Sequence, residues 1–555
     1  MSKRRIRIIG GVAAGASCAA RLRRLDERAD IVVFERGPYP SFANCGLPYY
    51  IGGTIAEEDK LLVATPELFR ARFNIEVRTE QEVLRIDRAR KTVEVKELRG
   101  GRTYQEPYDA LVLAPGAAPV RPPLPGIDFE GIFAVRTIPD SRAIREWIER
   151  TGAKRAVVAG GGFIGLEMVE NLAQRGLKVT VIEMASQLMT PLDHEMAQYV
   201  YVHLLDNRVA VRLDEAVTGF EGADGRVTKV ITAAGAKVDA DLVILALGVK
   251  PETKLAREAG LATGPRGGIC VDESMRTSDP AIWAAGDAVE ARDCVTGESC
   301  LVPLAGPASR QGRIAADAIC GRPARFRGVQ ATAVCGVFGL TTAMTGASEK
   351  RLIAAGHEDW EAIYLHEGHH AGYYPGAQRM HLKLLFRKPD GLILGAQAVG
   401  GEGVERRIDI ISFAIQRHST VFDLEEAELC YAPQYGAAKD IVNMAGMIAA
   451  NVLRGDMKLA RWSDLPRAKA LLVDVRDEEE FRRGGIDNAV NVPLPELRAR
   501  LGELPRDREI WANCAVGQRA YYAVRCLEQH GFTARNLSGG YVTWEAYYPD
   551  GTPEE

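Results

Sequence analysis

The stretch Ile6-Arg-Ile-Ile-Gly-Gly-Val-Ala-Ala-Gly15 decides the fold at the start of the chain. It predicts a strand over residues 6–9, a glycine turn and a helix, after which a second strand, Ile31–Phe34, ends at the acid Glu35. This order is typical of a dinucleotide-binding βαβ unit. Val12 replaces the middle glycine of the usual pattern, so an ordinary α/β turn stays open. The residues that would face the pyrophosphate and ribose are Gly10, Gly11, Ala14, Gly15 and Glu35.

The same pattern returns intact about 150 residues later. A predicted strand, Ala156–Ala159, leads into Gly160-Gly-Gly-Phe-Ile-Gly165, and the strand Val179–Ile182 ends at Glu183. With no arginine nearby in sequence, Glu183 would accept a free ribose 2′-hydroxyl and repel a 2′-phosphate, which favours NADH and leaves NADPH possible. Two such units predict two dinucleotides that exchange a hydride. The expected contacts of the second unit are Gly160, Gly162, Ile164, Gly165 and Glu183.

A third segment, Thr277-Ser-Asp-Pro-Ala-Ile-Trp-Ala-Ala-Gly-Asp287, resembles the signature of the pyridine nucleotide-disulfide oxidoreductase family. In that family the terminal aspartate, here Asp287, reaches the flavin ribitol. The resemblance covers roughly residues 1–450 and implies FAD in the first unit and NADH in the second. It also implies a homodimer. The predicted domains are FAD-binding (1–118 and 248–324), NAD(P)H-binding (119–247) and α/β dimerisation (325–455).

Cys45 is the candidate catalytic thiol of this region. It stands in Ser41-Phe-Ala-Asn-Cys-Gly-Leu-Pro-Tyr-Tyr50, at a turn before a short predicted helix. We expect the helix N-terminus to lower the thiol pKa from about 8.5, so that a thiolate can relay two electrons beside a flavin. A buried core cysteine is the alternative interpretation. Tyr50 stands where a C-x4-C pair would place a second cysteine, so the relay has a single sulfur.

Within the family, a single cysteine in this context leaves NADH oxidase, NADH peroxidase and coenzyme A disulfide or persulfide reductase. The first two typically carry a histidine in the first glycine turn, which this sequence lacks. The third group is therefore favoured, and the resemblance implies a mixed disulfide of coenzyme A with Cys45. For the arginines of the expected coenzyme A site, a solvated basic helix face is the alternative. The expected coenzyme A contacts are Ser17, Arg21, Arg24, Ser41 and Asn44.

Two tyrosine segments resemble those that send hydroxyls across the family's dimer to the partner's cysteine. Tyr431 and Tyr373 are the expected catalytic residues, with Tyr373 preferred to Tyr374, because a phenol can donate a proton to a leaving sulfur. Packed interface aromatics are the alternative. The histidines near the first segment have no cysteine or carboxylate at ligand spacing, so we expect a solvated loop and no metal. They are His366, His369 and His370.

The last part of the chain, residues 461–555, resembles a rhodanese domain. The resemblance rests on Leu471-Leu-Val-Asp-Val-Arg476 and on the closing motif Leu537-Ser-Gly-Gly-Tyr-Val-Thr-Trp544. Between them, Cys514-Ala-Val-Gly-Gln-Arg519 forms a loop that opens a helix. Backbone N–H groups of such a loop, with Gly517 and Arg519, would stabilise a thiolate or persulfide on Cys514. Cys514 is therefore expected to carry sulfane sulfur.

Composition sets the outer limits of these predictions. Of 555 residues, 46% are hydrophobic and 26% charged, which excludes a disordered or fibrous protein. Lys+Arg 70 against Asp+Glu 74 provides no basic surface for nucleic acid or an anionic membrane. Ten scattered cysteines without CxxC pairs indicate neither a disulfide framework nor a zinc ribbon. With no signal-peptide pattern and no long apolar stretch, we expect a cytoplasmic protein without a membrane partner.

The sequence thus predicts an α/β chain with two Rossmann-like domains, an α/β dimerisation domain and a rhodanese-like α/β domain. The favoured function is reduction, by NADH and FAD, of S–S bonds in coenzyme A persulfide, polysulfide or coenzyme A disulfide. An NADH oxidase or peroxidase with a sulfurtransferase appendage, and a sulfur-carrier or redox-sensing protein, are the alternatives.

Overall fold

The strand that precedes the first glycine turn, Arg5–Ile9, is the centre of a five-stranded parallel sheet in the computed structural model of the protein. The structure describes residues 3–551; residues 1–2 and 552–555, at the outer ends of the first and last predicted domains, lie outside the described residues. The sheet's strands, in spatial order, are Ile282–Ala284, Ala110–Leu113, Arg5–Ile9, Asp30–Glu35 and Glu76–Thr79.

The helix after the first glycine turn, Ala13–Leu25, packs against the helix Ala305–Ile319. The two helices approach closely because Gly312 has no side chain: a Cβ there would lie 2.2 Å from the carbonyl oxygen of Ala14. The predicted strands and the end of the first helix at Leu25 are confirmed to within one residue. The first helix thus begins at the carboxyl end of the strand Arg5–Ile9 and is held by its packing on the helix Ala305–Ile319.

A second five-stranded parallel sheet carries the second glycine turn. Four consecutive apolar residues of its central strand, Ala156–Ala159, are buried, which is typical of a sheet covered on both faces. The helix Phe163–Gln174 follows the turn and packs on the sheet. The strands, in spatial order, are Ala210–Arg212, Lys178–Ile182, Arg155–Ala159, Leu242–Leu245 and Ile132–Phe133.

Smaller antiparallel sheets complete this half of the chain. Two are three-stranded: Gln81–Asp87, Thr92–Glu97 and Thr103–Pro107, and Val217–Ala223, Arg226–Thr232 and Lys237–Asp239. Two are two-stranded: Ala117–Pro119 with Val249–Pro251, and Ala291–Arg292 with Ser299–Cys300. The other helices and 3-10 turns are Asn44–Gly46, Leu47–Gly52, Glu58–Leu61, Pro66–Phe73, Ile138–Thr151 and Lys254–Glu258.

A five-stranded antiparallel sheet begins after residue 332. Its strands, in spatial order, are Ala333–Val337, Leu340–Gly346, Ile393–Gly400, Arg379–Arg387 and Trp360–Gly368. Helices Val404–Gln416 and Ile441–Leu453 pack on it, as does His194–Asp206 from the preceding half of the sequence. The short helices beside them are Glu349–Ala354 and Val421–Glu425.

The last sheet is parallel, with the strands Leu459–Ala460, Ala534–Leu537, Ile510–Asn513, Leu471–Asp474 and Val490–Asn491 in spatial order. The strand Ile510–Asn513 leads into the cysteine loop, which opens the helix Gln518–Gln529 as predicted. The remaining helices and 3-10 turns are Trp462–Arg467, Glu478–Arg483, Leu501–Glu503 and Gly540–Tyr547.

The chain divides into two compact units. The first contains the described residues up to Ser186 together with Val209–Ala331, and the second contains Gln187–Arg208 with the described residues from Thr332 onwards. The second unit therefore contains the five-stranded antiparallel sheet, the final parallel sheet and the helix His194–Asp206. Among residues 3–551, the structure has no helix with the length and apolarity that a bilayer crossing requires.

Candidate functional site

The first glycine turn has the shape that a dinucleotide-binding turn needs. Gly10 has φ +94°, and a Cβ on it would lie 2.0 Å from the carbonyl oxygen of Ala114. A Cβ on Gly15 would lie 1.8 Å from the Gly10 carbonyl oxygen, so only glycine lets the helix start this close to the strand. The turn fits a dinucleotide although Val12 interrupts the glycine pattern, because Gly10 and Gly15 set the close approaches.

Glu35 holds the edge of this turn. The Gly11 N–H donates to its Oε2 (2.8 Å) and the Gly37 N–H donates to its Oε1 (2.7 Å). Burial raises the pKa of this carboxyl, and the two backbone donors act in the opposite direction. A carboxylate fixed by one donor on each oxygen keeps lone pairs with which to accept ribose hydroxyls.

The second glycine turn repeats this geometry. A Cβ on Gly160, whose φ is +108°, would lie 2.3 Å from the Ala246 carbonyl oxygen, and one on Gly165 would lie 2.0 Å from the Gly160 carbonyl oxygen. Glu183 accepts from the Gly161 N–H (2.7 Å) and the Ala185 N–H (2.9 Å). A Cβ on Gly162 would meet no atom within 4 Å, so the space above this turn is open to a ligand. Ile164 is partly exposed at the start of the helix.

Asp287, the residue expected at the flavin, follows Gly286, and a Cβ on Gly286 would lie 3.1 Å from the Cβ of Ala14 beside the first glycine turn. Gly286, with φ +87°, donates its N–H to Gln311 (2.7 Å), and this turn delivers Asp287. Burial raises the pKa of the Asp287 carboxyl, and Arg136, 3.7 Å away, lowers it. Sequence reasoning missed Arg136 because no motif marks it and it lies far from residue 287 in the chain.

Cys45 is exposed in the 3-10 turn Asn44–Gly46, immediately before the predicted short helix, Leu47–Gly52. Burial of the sulfur raises the pKa of its thiol, and the negative charges of Glu167 and Asp287 raise it further. The predicted lowering of this pKa is therefore wrong for the chain's own groups. The backbone does lower it, but one short turn is outweighed by desolvation and two carboxylates.

Glu167 is a second residue that sequence reasoning missed. It lies in the helix Phe163–Gln174, and burial together with Glu170 raises its pKa to about 7. This helix packs on the helix after Cys45, where a Cβ on Gly52 would lie 2.0 Å from Asn171 Oδ1. Glu167 lies three residues after Ile164, on the same face of the helix, and this spacing is the signal that could have revealed it.

The residues expected to contact coenzyme A have different surroundings. Asn44 Oδ1 is buried and accepts no hydrogen bond from the described residues, which fits a donor on a bound ligand. Ser41 has φ +45° and donates its N–H to the Gly11 carbonyl (2.8 Å), and Ser17 is half-buried. Arg24 is exposed, whereas Arg21 donates to Asp317 Oδ1 through Nε (3.1 Å) and Nη2 (2.7 Å). Arg21 thus already neutralises a carboxylate of the neighbouring helix.

In the second unit, the structure brings two of the predicted tyrosines together. The hydroxyls of Tyr373 and Tyr431 lie 2.7 Å apart, and this hydrogen bond raises the pKa of Tyr373. The side chains are 75% and 48% exposed, so both phenols are open to a partner or a ligand. Tyr374 instead places its ring edge against His370. This exposure fits both the predicted catalytic role and the alternative of aromatics that pack at an interface with a second chain.

The expected solvated histidine loop is wrong. His366, His369 and His370 are each no more than 6% exposed. His366 lies on the edge strand Trp360–Gly368, with its Nδ1 2.8 Å from His381 Nδ1 and its Nε2 2.7 Å from Thr543 Oγ1. The rhodanese-like helix Gly540–Tyr547 covers this strand, which no local sequence signal could show.

Cys514 lies in an enclosed loop and is 1% exposed. The Gly517 N–H donates to its Sγ (3.2 Å), as the loop motif predicted. The Tyr541 N–H donates to the Cys514 carbonyl (2.7 Å), and a Cβ on Gly540 would lie 2.2 Å from that oxygen. The closing motif therefore rests directly on the cysteine loop.

Arg519 at the end of this loop is held by Glu480. Its Nη1 and Nη2 donate to the two carboxylate oxygens at 2.6 and 2.8 Å, and this pair lowers the pKa of Glu480 to about 2. The guanidinium still interacts electrostatically with Cys514. A bidentate pair fixes the orientation of the guanidinium beside the loop.

Three family models match the chain. Residues 4–312 match the pyridine nucleotide-disulphide oxidoreductase model, residues 332–440 match the dimerisation domain of that family, and residues 458–547 match the rhodanese-like domain. The first match alone covers more than half of the chain. These matches confirm the predicted fold class.

Individual proteins are similar to this chain over all or nearly all of their own length. The chain is 35% identical over 450 residues to the coenzyme A disulfide reductase of Staphylococcus haemolyticus, covering 81% of this chain and 100% of that protein. The solved structure of reduced Bacillus anthracis CoADR-RHD matches with a TM-score of 0.97 and 45% identity, covering 99% of each chain. A NAD-dependent persulfide reductase from A. fulgidus matches with a TM-score of 0.90 and 39% identity, covering 97% and 100%.

Proposed function

Because the chain belongs to the pyridine nucleotide-disulphide oxidoreductase family, we propose that it is an FAD-dependent enzyme that uses NADH to reduce sulfur–sulfur bonds. The acceptors are coenzyme A persulfide, polysulfide or coenzyme A disulfide, and the rhodanese domain carries sulfane sulfur. The observation that carries this proposal is the exposed thiol of Cys45, whose electrostatic neighbours include Asp287, the residue expected at the flavin. The similarity to a coenzyme A disulfide reductase and a persulfide reductase supports it.

The two glycine turns divide the dinucleotides between them. Gly10, Gly15 and Glu35, with Asp287, would hold FAD, and Gly160, Gly165 and Glu183 would hold NADH. When bound, FAD would supply the two-electron reduction of a disulfide at Cys45. The boundaries that we propose for the FAD, NAD(P)H, dimerisation and rhodanese domains are those predicted from the sequence.

Cys45 does the covalent chemistry on the substrate. Its thiolate attacks the inner sulfur of coenzyme A persulfide, so that a Cys45–coenzyme A disulfide forms and hydrosulfide leaves. With coenzyme A disulfide, the same attack releases one coenzyme A thiolate. Two electrons then return the mixed disulfide to the Cys45 thiolate and free coenzyme A. Asn44, with its buried and unpartnered amide oxygen, would accept a hydrogen bond from the bound coenzyme A.

The tyrosine pair would serve the leaving sulfur. Tyr431 would donate a proton to the departing thiolate, and Tyr373, whose hydroxyl lies 2.7 Å from it, would orient it. The dimerisation-domain match supports a homodimer in which these exposed phenols reach the partner's thiol site. We place the enzyme in the cytoplasm, where reduced coenzyme A and free thiols persist.

Cys514 would carry sulfur between substrates. Its thiolate would take the terminal sulfur from a polysulfide and become a persulfide, and the shortened polysulfide would leave. The thiolate of coenzyme A would then attack the outer sulfur of that persulfide, which forms coenzyme A persulfide and restores the Cys514 thiolate. The backbone donor of Gly517 stabilises the sulfur anion in each state.

NADH oxidation by the purified flavoprotein tests the proposal. The rate is measured anaerobically with coenzyme A persulfide, coenzyme A disulfide or inorganic polysulfide as the acceptor. In parallel, it is measured with oxygen or hydrogen peroxide as the acceptor. We expect one NADH consumed for each S–S bond cleaved. Faster turnover with oxygen or peroxide would instead indicate an oxidase or peroxidase with a sulfurtransferase appendage. No turnover with any small acceptor would indicate a sulfur-carrier or redox-sensing protein.

A further inference from the structure

The carboxyl edge of the second parallel sheet brings an arginine to Glu183 that the sequence around Glu183 does not contain. The strands Lys178–Ile182 and Ala210–Arg212 run side by side and end together. The Glu183 N–H donates to the Arg212 carbonyl (2.9 Å), and the Glu215 N–H donates to the Glu183 carbonyl (3.0 Å). The Asp214 N–H also donates to the Ala185 carbonyl (3.0 Å), so residues 212–215 lie alongside residues 183–185.

The side chain of Arg212 already forms an ion pair with Glu215. Arg212 donates to the two oxygens of Glu215 through Nε (2.5 Å) and Nη2 (2.8 Å). The Arg212 side chain is 39% exposed and the Glu215 side chain 14% exposed, so the pair lies at the surface of the sheet edge rather than in the core. A bidentate pair with a carboxylate uses the fork of donors that a phosphate would otherwise engage.

The charges at this edge are mostly negative. Within residues 183–186 and 212–215, Glu183, Asp214 and Glu215 are carboxylates, Arg212 is the one cation, and residues 184–186 are Met, Ala and Ser. In dinucleotide-binding folds the carboxyl edge holds the adenosine ribose, and an arginine near the acid accommodates a 2′-phosphate. Here the fold supplies such an arginine and then neutralises it with a carboxylate from the same loop.

We propose that Glu215 is a specificity-determining residue for NADH, because it holds Arg212 in an ion pair and so withholds it from the 2′-phosphate of NADPH. This inference rests on the proposed NADH site and adds a second determinant to Glu183. Glu183 would accept a hydrogen bond from the 2′-hydroxyl of NADH directly, whereas Glu215 would act through Arg212. Loss of the Glu215 charge would free the guanidinium for a phosphate at the same edge.

The test measures binding and turnover on the flavin-loaded protein. Titration calorimetry compares ADP-ribose with 2′-phospho-ADP-ribose for the wild type, Glu215→Gln, Arg212→Gln and the double variant. We expect Glu215→Gln to tighten 2′-phospho-ADP-ribose about 10-fold, the order of one charge-assisted contact, with ADP-ribose changed less than about two-fold. The double variant should lose this gain, and kcat/KM for NADPH relative to NADH should follow the same order.

Glu221→Gln is the matched control. It removes another paired surface carboxylate from the first unit, that of the Glu221–Lys237 ion pair, without touching residues 212–215. It should leave both affinities unchanged. Should Glu215→Gln fail to fold, Arg212→Gln alone still tests the idea, because leaving Glu215 unpaired should weaken 2′-phospho-ADP-ribose relative to ADP-ribose.

Two outcomes would overturn the inference. An unchanged ratio of the two affinities in Glu215→Gln would show that the pair does not control specificity. A gain that persists in the double variant would show that Arg212 is not the group released. If the wild type bound neither probe, the proposed nucleotide site itself would be wrong, which separates the two failures.

Discussion

The sulfur atoms of Cys45 and Cys514 lie in opposite surroundings. Cys45 is exposed on a short turn, and desolvation of its sulfur together with the negative charges of Glu167 and Asp287 raises the pKa of its thiol. Cys514 is 1% exposed, and the Gly517 N–H of its own loop donates to its sulfur. One thiol is thus a surface nucleophile whose environment comes from distant segments, and the other is enclosed by a local cradle. We expect the two reactions to be separable by single substitutions.

Cys45→Ser should have the largest effect on this comparison. Reduction of coenzyme A disulfide by NADH should fall at least about 1000-fold, because the attacking sulfur is lost. Transfer of sulfur from thiosulfate to cyanide should stay within about two-fold. Both rates are measured on protein with its full flavin content. Appreciable coenzyme A disulfide reduction by this variant would contradict a single-thiol relay.

Cys514→Ser is the reciprocal change. Sulfur transfer from thiosulfate to cyanide should fall about 1000-fold, and coenzyme A disulfide reduction should stay within about two-fold. Cys526→Ser, which removes a buried thiol from the helix Gln518–Gln529, is the control and should retain both activities. Loss of coenzyme A disulfide reduction in the Cys514 variant would join the two sites into one reaction.

The second unit should also respond to acid through its histidine contacts. Burial lowers the pKa of His381 to about 4 from its ordinary value of about 6.5, so the unfolded chain binds a proton before the folded one does. The contribution is present above pH 6.5 and is lost as the pH falls toward 4, at most about 3 kcal/mol. Urea unfolding at a series of pH values measures it.

The matched variants for this prediction are His381→Phe and His418→Asn. The first should reduce the pH dependence between 6.5 and 4 by the contribution of His381, while the buried His366, whose pKa is also lowered, keeps its own contribution. The second removes an exposed histidine at φ +55°, a conformation that asparagine tolerates, and should leave the dependence intact. An unchanged profile in His381→Phe would remove the histidine pair from the account.

The tyrosines should give the smallest effect. Tyr431→Phe should lower kcat for coenzyme A persulfide about 10- to 100-fold, because the proton for the leaving sulfur is lost. Tyr373→Phe should cost less, since its hydroxyl orients that of Tyr431. Tyr374→Phe, whose ring packs on His370, should change kcat less than about two-fold. Equal losses in all three variants would indicate a packing role for these aromatics.

Sequence patterns were sufficient to predict the candidate site residues that lie in a local turn. Glycines such as Gly10 and Gly160 and the acids Glu35 and Glu183 follow from strand-turn-helix spacing, and the structure gives both acids equivalent backbone donors. The cysteine loop of the rhodanese domain is local in the same sense. Short-range patterns predict these features because the backbone donors to each acid, and the Gly517 donor to Cys514, lie within one βαβ unit or one loop.

Contacts between distant segments could not be predicted. The raised pKa of Cys45 depends on desolvation of its sulfur and on Glu167 and Asp287, which lie more than a hundred residues away in the chain. The ion pair of Arg21 with Asp317 and the burial of His366 under the rhodanese helix likewise depend on tertiary packing. Charge and burial at these positions follow from which helices pack together, and single-sequence patterns carry little information about that.

Native mass spectrometry of the purified protein without reductant would show whether Cys45 is the redox-active thiol. We expect each chain to carry one FAD and one coenzyme A, peptide mapping to assign the coenzyme A to Cys45, and NADH to release it. A protein that binds no flavin, or that carries coenzyme A on a cysteine other than Cys45, would contradict the account.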